Sequence, residues 1–170
     1  MTRKNYSKNK KMRINIIAVG KIKENYLKDA IAEYAKRLSA FAGMQIIEIP
    51  DEKCPENLSE AEKIIILQKE GEKILSQIPK NSFVYVLAID GKKLSSQNFS
   101  ENMQNNMING FSNLTFIIGG SLGLCDEVLQ KSDFSLSLSN MTFPHQITRF
   151  ILLEQIYRCF KIIYNEPYHK

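Results

Sequence analysis

Apolar residues in this chain follow two rhythms, short continuous runs and runs spaced three or four apart. Ile14-Asn-Ile-Ile-Ala-Val-Gly20 is almost unbroken in apolar residues and stops at glycine, as a strand buried on both faces does. Over residues 24–38, Leu27, Ile31, Tyr34 and Leu38 recur at helical spacing, with Asp29, Glu33, Lys36 and Arg37 off the stripe, which predicts an amphipathic helix. Residues 44–50 predict a second strand, and residues 51–57 a surface loop. Ser59-Glu-Ala-Glu62 has the spacing of a capping box. It opens a helix to about Gln77 that is expected to bury Ile64, Ile65, Gln68, Ile74 and Leu75 before Pro79 stops it. Gly71 falls inside that helix, where glycine costs about 1 kcal/mol relative to alanine. Close backbone approach and neutral drift are the two readings.

The same alternation continues. Residues 82–89 predict a third strand, with Leu87 near its end and a turn at Asp90-Gly91. Ser95 or Ser96 caps a helix through Ile108, which Asn109-Gly110 ends. Residues 114–118 predict a fourth strand, residues 126–130 a short helix and residues 134–138 a fifth strand. The last helix, from Pro144 to about Tyr164, is apolar around most of its circumference. Half of it facing the sheet and half a second copy of the chain predicts a homodimer; a simple buried core helix is the alternative. Glu154 and Arg158 form an i,i+4 pair expected on the exposed edge. Strands alternating with helices predict an α/β fold, a parallel sheet covered on both faces.

Composition adds little until charge is located. The 170 residues suit one domain able to bury roughly 70% of its unfolded surface. Lysine and arginine number 23 against 18 acids, a net charge of +5. Five of those cations (Arg3, Lys4, Lys8, Lys10, Lys11) sit in residues 1–11 with no acid, so residues 12–170 are formally neutral. The first eleven residues are expected to be a disordered basic extension, either an upstream addition before Met12 or an RNA-binding arm. Three cysteines without ligand spacing, and only two histidines, argue against a metal site and for reduced, intracellular thiols. No signal-type or membrane-length apolar run occurs, so a cytoplasmic location and no membrane partner are expected.

Two stretches carry chemistry. Thr115-Phe-Ile-Ile-Gly-Gly-Ser-Leu-Gly-Leu124 and the run from Ser135 to Arg149 each end an apolar strand abruptly in small or polar residues. Backbone amides are thereby freed at strand carboxyl ends, where open α/β sheets bind ligands. The glycine loop is not the dinucleotide fingerprint, and the chain has no GxxxxGK[ST] phosphate loop. Read alone it is as much a structural turn as a ligand loop. The uncharged stretch 139–143 suits an adenine ring or a thioether. His145 and Arg149 stand one turn apart at a helix start, where dipole and guanidinium favour an anion; a histidine cap beside a solvated arginine is the bland alternative. Tyr168 and His169 lie in a terminal tail.

Strings along residues 12–170 together say more than any one motif. They are Ile-Ile-Ala-Val-Gly-Lys at 16–21, Ala-Ile-Ala-Glu-Tyr at 30–34, Ile-Ile-Glu-Ile-Pro at 46–50 and Lys-Glu-Gly at 69–71. Ile-Ile-Gly-Gly-Ser-Leu-Gly-Leu at 117–124, Leu-Ser-Asn-Met-Thr-Phe-Pro-His-Gln at 138–146, Leu-Leu-Glu-Gln-Ile-Tyr-Arg at 152–158 and the ending Pro-Tyr-His complete the set. The chain resembles the RlmH (YbeA) family of small SPOUT-class methyltransferases. That resemblance implies a Rossmann-like SPOUT fold with a trefoil knot from about residue 115 onward, and a homodimer whose subunits jointly form the site. It implies S-adenosyl-L-methionine as cofactor and N3 of a pseudouridine in a 23S rRNA stem-loop, within assembled ribosomes, as substrate. Matching positions assign the cofactor to Leu87, Gly119, Leu138, Ser139, Asn140, Met141, Thr142 and Phe143. For catalysis, His169 or His145 accepts the N3 proton, Arg149 stabilises the O2 or O4 charge or a phosphate, and Tyr168 stacks on or orients the base. Residues 1–11 have no counterpart in the pattern. Two rival classes are a non-catalytic ribosome-binding factor and a dinucleotide-dependent oxidoreductase. The second needs a ribose-binding acid, and Asp126 and Glu127 come too soon after the glycine loop.

Overall fold

Five strands, all parallel, form one sheet in this computed structural model, which describes residues 12–168. The basic stretch 1–11 and His169 lie outside the described residues. In chain order the elements are β1 (Arg13–Val19), α1 (Asn25–Leu38), β2 (Gly43–Ile49), α2 (Glu60–Gln77) and β3 (Ser82–Lys93). They continue as α3 (Ser96–Ile108), β4 (Asn113–Ile118), α4 (Asp126–Lys131), β5 (Phe134–Ser137) and α5 (His145–Ile163). The sheet order is β2-β1-β4-β3-β5. The apolar runs that read as doubly buried strands are its centre: every residue of β4 and all but the first of β1 are buried.

Alternation along those strands divides the core into two layers. Ile14, Ile16, Ala18, Leu114, Phe116 and Ile118 face α1, α3 and α5; Ile17, Val19, Ile117, Val84 and Val86 face α2 and α4. Each such buried side chain contributes about 1.5–3 kcal/mol, so the α5 row Leu152, Leu153, Ile156, Cys159 and Phe160 fixes that helix firmly to the sheet. Parallel order puts all five carboxyl ends on one edge. The loops after β1, β3, β4 and β5 meet there.

Two expectations fail. Helix α2 does carry the capping box, with the Ser59 hydroxyl accepting from Glu62 N and the Glu62 side chain accepting from Ser59 N. Yet Ile64 and Ile65 are 54% and 50% exposed and Gln68 is exposed. The buried face is Glu70, Gly71 and Ile74, and four consecutive apolar residues at 64–67 leave the helical phase undetermined. Gly71 answers its own question, because a Cβ there would sit 2.2 Å from Cys125 Sγ. Close approach of α2 to the start of α4 demands glycine.

The second failure is the end of β3. Instead of turning at Asp90-Gly91, the strand bulges: its pairing with β5 jumps from Leu87↔Leu136 to Lys92↔Leu136. The bulged backbone crosses β5 so closely that a Cβ on Gly91 would lie 2.6 Å from the Leu136 carbonyl carbon.

Candidate active site

Three loops bound the main cavity. After β4 the chain makes a tight hairpin in which Gly123 N donates to Gly120 O at 3.1 Å, with Gly123 at φ 89°. Gly119 has no room for a side chain, since a Cβ would meet Gly123 O at 2.5 Å. After β5, Ser137 Oγ donates to Ser139 O at 3.0 Å, and Met141 N donates to Ser139 Oγ at 3.0 Å. These bonds brace the loop internally and leave other amides and carbonyls of its backbone free to face a ligand. The β3 bulge supplies the third wall. A cavity of about 600 Å³ lies between them, within the range of small-molecule sites.

Leu87, Gly119, Leu138, Ser139, Met141, Thr142 and Phe143 all line this cavity, so seven of the eight residues expected to meet a cofactor converge; Asn140 is in the loop but not in the wall. Ala88, Ile89 and Asp90 were missed. Their Asp-Gly signal was read as a turn, and only the pairing with β5 shows it to be a bulge. Among the described residues, Asp90 and His145 are the ionisable members of the wall, with no lysine or arginine. A site of this kind, apolar surface with main-chain donors and acceptors and closely packed glycines, fits an uncharged ring system carrying a polar edge.

His145, the first residue of α5, lines the cavity and rests over the end of β1, its Nε2 3.4 Å from where a Cβ of Gly20 would be. Pro144, the residue before it, offers no side-chain cap. Arg149 departs from expectation. It is 1% exposed, with Nη1 donating to Glu48 Oε1 at 2.7 Å and Nη2 donating to Gly20 O at 2.9 Å. Glu48 Oε1 also accepts from Ile22 N at 3.1 Å. The guanidinium therefore clamps the ends of β1 and β2 to α5 and is not offered to an anion. Its Nε is buried with no hydrogen-bond partner among the described residues.

Tyr168 lies elsewhere. Its hydroxyl donates to Glu154 Oε1 at 3.2 Å and stands 3.1 Å from the Tyr34 hydroxyl, while its ring meets Tyr157 edge-on at 5.0 Å beneath the Arg158 guanidinium. Burial and the bond to Tyr34 push that hydroxyl above its ordinary pKa. The Glu154–Arg158 pair, 2.6 Å apart, is largely buried rather than on an exposed edge. Within one chain Tyr168 is not part of the cavity wall, so the structure does not bring it to His145.

Behind the glycine hairpin is a smaller cavity of about 260 Å³, whose charged lining is Asp51, Glu52, Glu70 and Lys53, and which shares Gly120, Ser121, Leu122 and His145 with the larger one. Glu70 is 5% exposed and its Oε1 accepts from Glu52 N at 3.0 Å. Burial pushes its carboxyl above the usual carboxylate range, against the pull of that amide and with help from the charges of Asp51 and Glu52. Among the described residues no three His, Cys, Asp or Glu side chains are grouped to hold a metal ion, and no helix is long and apolar enough to cross a membrane.

Comparison with known proteins matches residues 12–169 to the model of a family described as "Predicted SPOUT methyltransferase". Proteins from Carboxydothermus hydrogenoformans and Clostridioides difficile are each 58% identical over 159 residues, covering 94% of this chain and 100% of theirs. One from Enterococcus faecalis is 55% identical over the same span and coverage. All three carry the name "Ribosomal RNA large subunit methyltransferase H".

Proposed function

The chain belongs to the SPOUT methyltransferase family, and on that premise we propose that it methylates large-subunit ribosomal RNA with S-adenosyl-L-methionine bound in the main cavity. The target is N3 of a pseudouridine in a 23S stem-loop, presented by the assembled ribosome in the cytoplasm. Residues 12–170 act as one SPOUT domain. The observation carrying this reading is the convergence of Leu87, Gly119, Leu138, Ser139 and residues 141–143 on one largely apolar cavity at the strand carboxyl ends. Relatives 55–58% identical over their full length bear the matching name.

The residues present fit that cofactor. Gly119 brings backbone to the cavity where a Cβ would collide with the glycine hairpin, and the apolar wall is interrupted by serine, threonine and main-chain groups. When bound, S-adenosylmethionine supplies an electrophilic methyl group on a sulfonium. The protein's part is to hold that group in line with the attacking nitrogen, and such positioning lowers a barrier by about 7–11 kcal/mol at most. The imide proton at N3 leaves to His145 or to His169, directly or through water, as the nitrogen takes the methyl. Arg149 serves this by fixing the turn that carries His145, a positioning role in place of the anion contact expected for it.

A homodimer completes the site in this reading. Ile147 is 36% exposed and Ile151, Ile162 and Ile163 are only partly buried along α5, an apolar margin suited to a second copy. Tyr168 and His169 of one protomer then serve the cavity of its partner, with Tyr168 steadied by Glu154 and Arg158. The trefoil knot of this reading lies in the chain from about residue 115 onward and folds the glycine hairpin and the loop after β5 around the cofactor. Mass spectrometry of the 23S stem-loop from cells lacking this protein tests the function. Loss of one methyl on the pseudouridine, restored by the wild-type chain, is expected; an unchanged mass spectrum rejects the assignment.

A further inference from the structure

The small cavity behind the glycine hairpin carries three acids, Asp51, Glu52 and Glu70, against one lysine, Lys53, and it shares Gly120, Ser121, Leu122 and His145 with the cavity assigned to the cofactor. A charge on either side of that hairpin acts on the other side through one thickness of backbone. Glu70 is nine-tenths buried and uses only half of its carboxylate. Its Oε1 takes the Glu52 amide, while Oε2 has no hydrogen-bond partner among the described residues and lies 3.4 Å from where a Cβ of Gly120 would be. Lys73 of its own helix is paired with Glu52 at 2.6 Å, and Lys53 lines the cavity with no hydrogen bond or ion pair to Glu70 among the described residues. A buried carboxylate beside other acids is costly unless a positive charge faces it. A buried, half-satisfied carboxylate of this kind beside a ligand cavity is a candidate for a functional role, and a cationic ligand on the far side of the hairpin would offset part of its cost. The main cavity agrees in sign, having Asp90 but no lysine or arginine in its wall.

A sulfonium methyl donor carries a fixed positive charge that its thioether product has lost. We propose that Glu70 is the specificity determinant by which this site prefers the charged methyl donor over the neutral spent product. Asp51 and Asp90 add to the same field. The inference rests on reading the main cavity as the S-adenosylmethionine site. Glu70 touches no reacting atom; it acts across Gly120, and the preference it creates is released once the methyl has left, which favours exchange of product for fresh donor. A single carboxylate at this remove, partly shielded from water, changes the affinity for one positive charge by roughly tenfold. Asp90 and Asp51 are exposed, so each contributes less.

Calorimetric titration of the full chain at mildly alkaline pH, with S-adenosylmethionine and separately with S-adenosylhomocysteine, tests this. The wild type is expected to bind the donor more tightly. In Glu70→Gln the donor weakens by about tenfold while S-adenosylhomocysteine is nearly unchanged, and Asp51→Asn moves the ratio the same way by less. If Glu70→Gln loses both ligands equally through a loop defect, Asp51→Asn decides, because the Asp51 side chain makes no hydrogen bond among the described residues. An unchanged donor-to-product ratio in the deciding variant overturns the inference and leaves the cofactor assignment standing. A wild type that binds neither ligand overturns both.

Discussion

Arg149 shows how one residue can be correctly noticed and wrongly placed. Its spacing from His145 fits a guanidinium reaching outward to an anion, but equally one reaching inward to a carboxylate that the sequence holds 101 positions away. Glu48 could not be named as its partner before the sheet was known. Removing the cation leaves Glu48, one-third exposed, with only the Ile22 amide and frees the buried Gly20 carbonyl, so Arg149→Met is expected to cost about 1.5–3 kcal/mol, read as a lower urea midpoint at unchanged slope. Arg149→Lys recovers part of this, since an ammonium cannot bridge Glu48 and Gly20 with the same planar fork. The convergence of Leu138, Ser139 and residues 141–143 on the cavity was legible because a loop of small, uncharged residues directly after a strand is a local property of the sequence. Glu70 makes a separate prediction. Its folded-state carboxyl lies above the ordinary value, so the folded chain holds a proton that the unfolded chain has released. Its destabilising effect is absent below the ordinary carboxylate pKa and grows as pH rises through the folded value. Chemical denaturation across that window is expected to show stability falling with pH in the wild type and a flatter profile in Glu70→Gln.

Among the elements, helices and strands were legible wherever burial was one-sided or complete, and illegible where a neighbour decided. The run Ile64 to Leu67 gives α2 no unique apolar face; the true face includes an acid and a glycine because α4 presses on it. The β3 bulge is likewise decided by β5, more than forty residues on. The α2–α4 contact can be tested directly. Gly71→Ala places a methyl 2.2 Å from Cys125 Sγ and is expected to destabilise by about 1–3 kcal/mol, despite alanine's better helix propensity. Pairing it with Cys125→Ala frees the space, so a double-mutant cycle by thermal or urea unfolding should return a coupling above roughly 0.5 kcal/mol. Additivity of the two changes would show that α2 simply moves aside.

On the scale of the whole molecule, α5, like α2 at Ile64 and Ile65, leaves apolar burial unfinished. Its inner row is sealed against the sheet, α1 and α3, whereas Ile147, Ile151, Ile162 and Ile163 keep apolar surface in contact with solvent. Sedimentation equilibrium is expected to give twice the chain mass, and Ile151→Glu to shift it toward the monomer with loss of methyl transfer but retained cofactor binding. Composition made the helix's greasiness legible; which half remained uncovered depended on packing.

The clamp from Arg149 to the Gly20 carbonyl spans 129 positions, and β1 pairs with β4 across a similar stretch. Contacts of such separation form late, after the entropy of a long loop has been lost. During synthesis, then, the amino-terminal half waits incomplete while the ribosome is still adding the final helix. The cavity beside His145 is therefore complete only after the ribosome that made the chain has let most of α5 go.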